Sequence, residues 1–148
     1  MPFTYFEDLR LRDWMPIGEW TIQRDVAIDF AREWEPQPHH IDEAAALRSP
    51  FAGLTVCSLY LFAVCTRLFF AYERPIAVRA MLGKDDVALP SPARPGDRLR
   101  YETRCIYKRR SHSRPDTGIV TLEDRLATHA GVPVLTQKVR LLVSRQAG

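Results

Sequence analysis

From Phe51 to Thr66 the sequence carries no charged side chain, and Arg67 closes the run. The stretch is shorter than the ~20 residues that a membrane-spanning helix needs, so the rest of the chain has to bury it. The wider segment from Gly53 to Tyr72 is apolar on nearly every side. That pattern predicts a helix wrapped on most sides by other structure. The period changes afterwards. In Arg98 to Lys108, Leu99, Tyr101, Thr103, Cys105 and Tyr107 alternate with Arg98, Arg100, Glu102 and Arg104, which is the signature of a half-buried strand. Gly118 to Thr128 predicts a second strand, with Val120, Leu122 and Leu126 inward. Val132 to Ser144 predicts a third, with Leu135, Val139, Leu141 and Val143 inward. His129-Ala130-Gly131 connects those two tightly, Arg109 to Asp116 forms a longer loop, and an earlier strand is expected around Ala77 to Leu89. A strongly curved antiparallel sheet wrapped around one long helix is the economical arrangement, an α+β fold. Segregated helices and strands exclude a doubly wound α/β sheet, and neither a GxGxxG nor a P-loop motif occurs.

The first half supplies the other helices. Glu19 to Gln23 is β-compatible. Asp25 to Trp34 predicts a helix with Val26, Ala27, Phe30, Ala31 and Trp34 on one face, capped by Asp25 and stopped by Pro36 and Pro38. Asp42 to Arg48 predicts a short helix capped by Asp42 and ended by Pro50. With 148 residues and no repeat, linker or low-complexity tract, residues 1–148 are expected to form one domain.

Charge and cysteine usage narrow the setting. The N-terminus has no apolar h-region of a secretory signal. Cys57, Cys65 and Cys105 form no CxxC pair and have no ligand spacing to a histidine. They are expected to be free, reduced and buried, which points to a cytoplasmic setting and to no metal site. A net charge of +3 is too mild to argue for nucleic acid. The strongest basic run, Lys108-Arg109-Arg110-Ser111-His112-Ser113-Arg114, lacks interleaved aromatics and suits a solvated hairpin loop; phosphates of a carrier arm are the other ligand it would fit.

The chemistry is concentrated in Glu33-Trp34-Glu35-Pro36-Gln37-Pro38-His39-His40-Ile41-Asp42. Two prolines fix a rigid turn between two helices. A carboxylate at Glu35 and an imidazole at His40 facing one cavity can share the activation of a water. His39 is expected to be exposed, and Asp42 to cap the following helix. Ser58 lacks the GxSxG setting of a nucleophile.

This segment resembles the hydratase motif of the MaoC-like dehydratase and (R)-specific enoyl-CoA hydratase family, which has the hot-dog fold. The family pattern is roughly Asp-x-Asn/Gln-Pro-x-His-x-Asp, and Gln37, Pro38, His40 and Asp42 match it. Phe6-Glu7-Asp8-Leu9, Ser49-Pro50-Phe51-Ala52-Gly53-Leu54, Arg94-Pro95-Gly96-Asp97 and Ser113 to Val120 resemble further family segments, in the same order. Two positions depart from the pattern. The family's catalytic Asp falls on Glu35, and its His-Gly or Ser-Gly pair falls on Cys57-Ser58.

The resemblance implies a hydratase or dehydratase of acyl thioesters, carried on CoA or on a carrier protein, with no bound cofactor and no metal. It implies that Glu35 and His40 are the catalytic pair. Gln37, Gly53, Cys57 and Ser58 form the expected substrate-binding set, with backbone N–H groups of the Gly53 to Ser58 turn facing the thioester oxygen. It implies a homodimer with one continuous sheet; the mild charge and the short apolar run predict no nucleic-acid and no membrane partner. The alternatives are a catalytically weakened acyl-CoA-binding protein or subunit, and a hot-dog thioesterase, because the fold alone does not decide the reaction.

Overall fold

The computed structural model describes residues 2–148. The elements in chain order are β1 (Met15–Thr21), α1 (Arg24–Trp34), α2 (Pro38–Ile41), α3 (Glu43–Leu47), α4 (Ser58–Ala71), β2 (Val78–Ala88), β3 (Arg98–Arg110), β4 (Thr117–Thr128) and β5 (Pro133–Ser144). The strands form one sheet in the order β1-β3-β4-β5-β2, and every neighbouring pair is antiparallel. The expected meander is β3-β4-β5; β1 and β2 are added to its two edges.

One face of the sheet is covered in two parts. Tyr60, Leu61, Val64 and Cys65 of α4 pack on Leu99, Tyr101, Leu126, Val134 and Leu135. Phe6 and Leu9 of the N-terminal segment pack on Cys105, Val120, Leu122, Leu141 and Val143. Removing a fully buried leucine such as Leu126 or Leu135 would cost ~2–5 kcal/mol. Gly118 makes this second cluster possible, because a Cβ there would collide with the Phe6 ring.

The inward face also carries a polar rung. Thr103, Asp124 and Gln137 are register partners on three adjacent strands, and all are buried. Asp124 Oδ1 accepts from Tyr101 Oη at 2.9 Å and from Thr103 Oγ1 at 2.8 Å, and Oδ2 accepts from Gln137 Nε2 at 2.8 Å. Burial pushes the Asp124 carboxyl up, against the downward pull of these three donors. Burial also pushes the Tyr101 phenol up, with the Asp124 charge adding to it.

Several local expectations are corrected. Tyr107 is 51% exposed because a register shift between Cys105 and Tyr107 breaks the alternation. Lys108 takes the inward side there and donates to Phe6 O and Leu9 O. On α1 the buried residues are Ala27, Ile28 and Ala31, whereas Val26 and Trp34 are exposed. The N-cap of α1 is Gln23, and Asp25 lies in the first turn. Asp42 does cap α3, accepting from Ala44 N and Ala45 N. The β1 strand begins at Met15, earlier than the β-compatible stretch. The α4 helix begins at Ser58 and leaves Leu59 and Phe70 open to solvent. Cys57, Cys65 and Cys105 are free and buried, as expected.

Candidate active site

Helix α1 stops at Trp34 because Pro36 disfavours helical geometry for the residue before it. Glu35 therefore leaves the helix at φ −151°, ψ 73° while its N–H still donates to Ala31 O at 2.8 Å. Pro38 then opens α2, a single turn, at the position where a missing N–H costs nothing. The rigid turn expected between the prolines is thus partly helical. His39 and His40 follow within that turn.

This path brings His40 Nε2 to 3.8 Å from Glu35 Oε1. Gln37 Nε2 donates to the same Oε1 at 2.9 Å. Glu35 Oε2 is buried and has no hydrogen-bond partner among the described residues. On the other side of the imidazole, His40 Nδ1 lies 2.8 Å from Thr55 O and 3.1 Å from Thr55 Oγ1. A carbonyl can only accept, so Nδ1 carries the proton. In the neutral ring, Nε2 then offers its lone pair on the Glu35 side. His40 is 8% exposed, so this orientation is enforced by packing as well as by the Thr55 bond.

The approach to α4 is held equally firmly. Thr55 N donates to His39 O and Val56 N to Ala93 O. Arg94 donates to Phe51 O at 2.6 Å and Leu54 O at 3.3 Å, and its own N–H donates to Asp97 Oδ2. A Cβ on Gly53 would sit 3.0 Å from Arg94 Nη1. The glycine lets the arginine cross the loop. The N-cap of α4, Cys57, makes no side-chain cap bond; Tyr60 N donates back to Cys57 O at 3.1 Å, which leaves the Ser58 and Leu59 N–H groups without an intrahelical acceptor.

Glu35, Gln37, His39, His40, Thr55 and Ser58 line one cavity of ≈ 400 Å3, with Phe51, Leu61, Leu89 and Val134 among its apolar walls. Gly53 and Cys57 do not line it. The Gly53 N–H is bonded to Ala46 O, and the Cys57 thiol is pushed up by burial. His39 is half-buried rather than exposed, with its ring centroid 5.0 Å from that of Phe51 and 4.1 Å from that of His40. Burial, and then the His40 charge, hold its pKa below the usual histidine value. The basic hairpin run contributes nothing to this cavity. Thr55 and Arg94 are the positioning residues that the sequence reading did not single out.

The model of the MaoC-like domain family matches residues 7–127. The chain belongs to this family. A MaoC-like dehydratase from Rhodospirillum rubrum is 32% identical over 97% of this chain and 99% of its own, with a TM-score of 0.90. An (R)-hydratase from Pseudomonas aeruginosa has the same fold at 19% identity, covering 97% of this MaoC-like chain and 88% of its own, with a TM-score of 0.78. A Mycobacterium tuberculosis protein described as a double hot-dog fold is 16% identical, covers 97% of this chain and 45% of its own, and superposes with a TM-score of 0.81. The MaoC-like domain is therefore a hot-dog fold. No curated protein matches the chain.

Proposed function

We propose that this MaoC-like protein adds water to, or removes it from, an acyl thioester carried on CoA or on a carrier protein, with Glu35 and His40 as the catalytic pair. The observation that supports the reading most is Glu35 Oε1 standing 3.8 Å from His40 Nε2 on the same cavity. These are two acceptors on one cavity wall, and a water has two protons to give. With hydrogen bonds of ~2.8 Å a single water oxygen reaches both groups. In hydration, the water oxygen bonds to the β-carbon of the enoyl thioester while one of its protons passes to the pair. The pair returns a proton to the α-carbon, and the net addition is one water. Dehydration is the reverse. The reaction is redox-neutral and draws on no bound cofactor. The Ser58 hydroxyl and the N–H groups of Ser58 and Leu59 at the start of α4 face the developing negative charge on the thioester oxygen, and Gln37 holds Glu35 in place. Acid–base catalysis of this kind contributes ~10²–10⁴-fold.

The homodimer belongs to the same proposal. The β2 strand is a sheet edge that exposes Met81, Leu82 and Val87, and α4 exposes Leu59 and Phe70. A second copy adding its own edge would cover this apolar surface. Sedimentation at micromolar concentration should give a dimer, and a monomer would remove this part. Buried free thiols suit a reducing, cytoplasmic compartment. Among the described residues, no helix is long and apolar enough to cross a membrane.

Crotonyl-CoA tests the reaction. Loss of the enoyl absorbance without release of free thiol is the expected result. Thiol release would indicate a thioesterase. No turnover at any chain length, with a CoA ester still raising the melting temperature, would leave a binding protein.

A further inference from the structure

Among the residues lining the Glu35–His40 cavity, His39 is the one ionisable group to which the proposed reaction gives no part. Its place is fixed from two sides. The backbone carbonyl accepts from Thr55 N at 3.0 Å. The ring lies against Phe51, with centroids 5.0 Å apart, and against His40, with centroids 4.1 Å apart. Phe51 is 39% exposed and His40 8%, so His39 stands between the open rim of the cavity and the buried pair. Neither His39 nor Phe51 belongs to β2 or α4, whose apolar faces are left to a second copy.

The ring has hydrogen-bonding capacity to spare. Among the described residues no group bonds either of its nitrogens, and neither nitrogen is closed to solvent. Burial, and then the His40 charge, hold its pKa below the usual histidine value. At neutral pH the ring is therefore uncharged and carries one N–H donor and one acceptor lone pair. The cavity decides which part of a thioester meets it. Its buried apolar walls, Leu61 and Val134, suit the hydrocarbon end of the acyl group. The arm beyond the sulfur then leaves over the rim. In pantetheine, the arm common to CoA and to carrier proteins, an amide follows two methylenes after the sulfur. An amide N–H is the donor that the free lone pair lacks.

We infer that His39 is a specificity-determining residue: its ring accepts from the first amide N–H of a pantetheine arm, and the cavity thereby selects thioesters of amide-bearing thiols. The inference rests on the thioester reading above, but not on turnover. A group of this kind rejects an isostere that lacks the donor, because its own lone pair is then left unpaired.

The probe is the butyryl thioester of N-acetylcysteamine, which is saturated and cannot be hydrated. Its counterpart is the isostere with an ester oxygen in place of the amide N–H. Binding is read from the 13Cε1 resonances of the histidines. The amide should shift the His39 signal saturably, leave His112 and His129 in place, and bind about tenfold more tightly than the ester. His39→Phe keeps a ring against Phe51 and should bring the two ligands to equal affinity, with His40 as the reporter. Equal affinity in the unaltered protein would overturn the inference, as would a preference that survives in His39→Phe or a shift that spares His39. The unaltered protein carries this comparison even if His39→Phe fails to fold. An amide preference without hydration of crotonyl-CoA would remove the hydratase reading alone; hydration without the preference would remove this inference alone. Given the preference, tighter binding of butyryl-CoA than of butyryl-pantetheine would assign the arm to CoA, and equal binding would assign it to a carrier protein.

Discussion

The fold shelters two carboxylates, and the chain treats the two groups in opposite ways. Asp124 is 4% exposed, and both of its oxygens accept from neighbours on the adjacent strands. Glu35 has one oxygen bonded to Gln37 and one with no partner, and an imidazole stands 3.8 Å away. A carboxylate whose hydrogen-bonding capacity is filled by protein organises the core. One left half-filled, beside a histidine whose proton is fixed on its far side, is what the proposed acid–base role requires. The contrast separates stability from chemistry within one fold, and it can be attacked from both sides.

The largest expected effect is on the reactive side. His40→Ala should lower hydration of crotonyl-CoA by ~10³-fold or more, and it should lower the urea midpoint too, because His40 is buried and bonded to Thr55; undiminished turnover would sink the assignment. Next is the structural side. Asp124→Ala strands three buried donors and should destabilise the fold by ~3 kcal/mol in urea titration, and a neutral result would erase the contrast. Glu35→Asp comes third. Gln37 and His40 both meet the carboxylate at its present reach. Shortening it by one methylene, roughly 1.5 Å, should therefore reduce kcat by ~10–100-fold. A gain would show that the glutamate is a handicap. The smallest effect concerns His39, whose pKa is lowered mainly by burial. Its stabilising contribution is present above the unfolded value near pH 6.5 and is lost as pH falls through the folded value. The melting temperature should therefore drop slightly more between about pH 7.5 and about pH 5.5 in the native protein than in His39→Gln. Identical drops would remove His39 from the buried wall.

Much of this was readable from local pattern. Alternation placed Leu99, Tyr101, Thr103, Cys105, Val120, Leu122, Leu126, Leu135, Val139, Leu141 and Val143 inward, and all are buried. Tyr107 escaped because a bulge adds a residue without altering composition. Val26 and Trp34 were assigned to the buried face of α1 because hydrophobicity alone does not say which side meets the sheet. Asp124 obeys the alternation, but between Glu123 and Arg125 it looks like part of a solvated run. Its partners Tyr101, Thr103 and Gln137 lie 23, 21 and 13 residues away in the chain, so only pairing of the strands reveals them. The same applies to the site. Glu35, Gln37 and His40 meet through a short proline-fixed path that the sequence displays. Thr55 and Arg94 act across 15 and 40 residues, through contacts no local window contains.

The central claim is that Glu35 serves chemistry rather than stability, and Glu35→Gln tests it most directly. The substitution keeps size and packing and removes the charge. Measured side by side with the native protein, it should lose ~100-fold or more in crotonyl-CoA hydration and keep the native urea midpoint. Retained turnover, or a collapse of stability matching that of Asp124→Ala, would contradict the account.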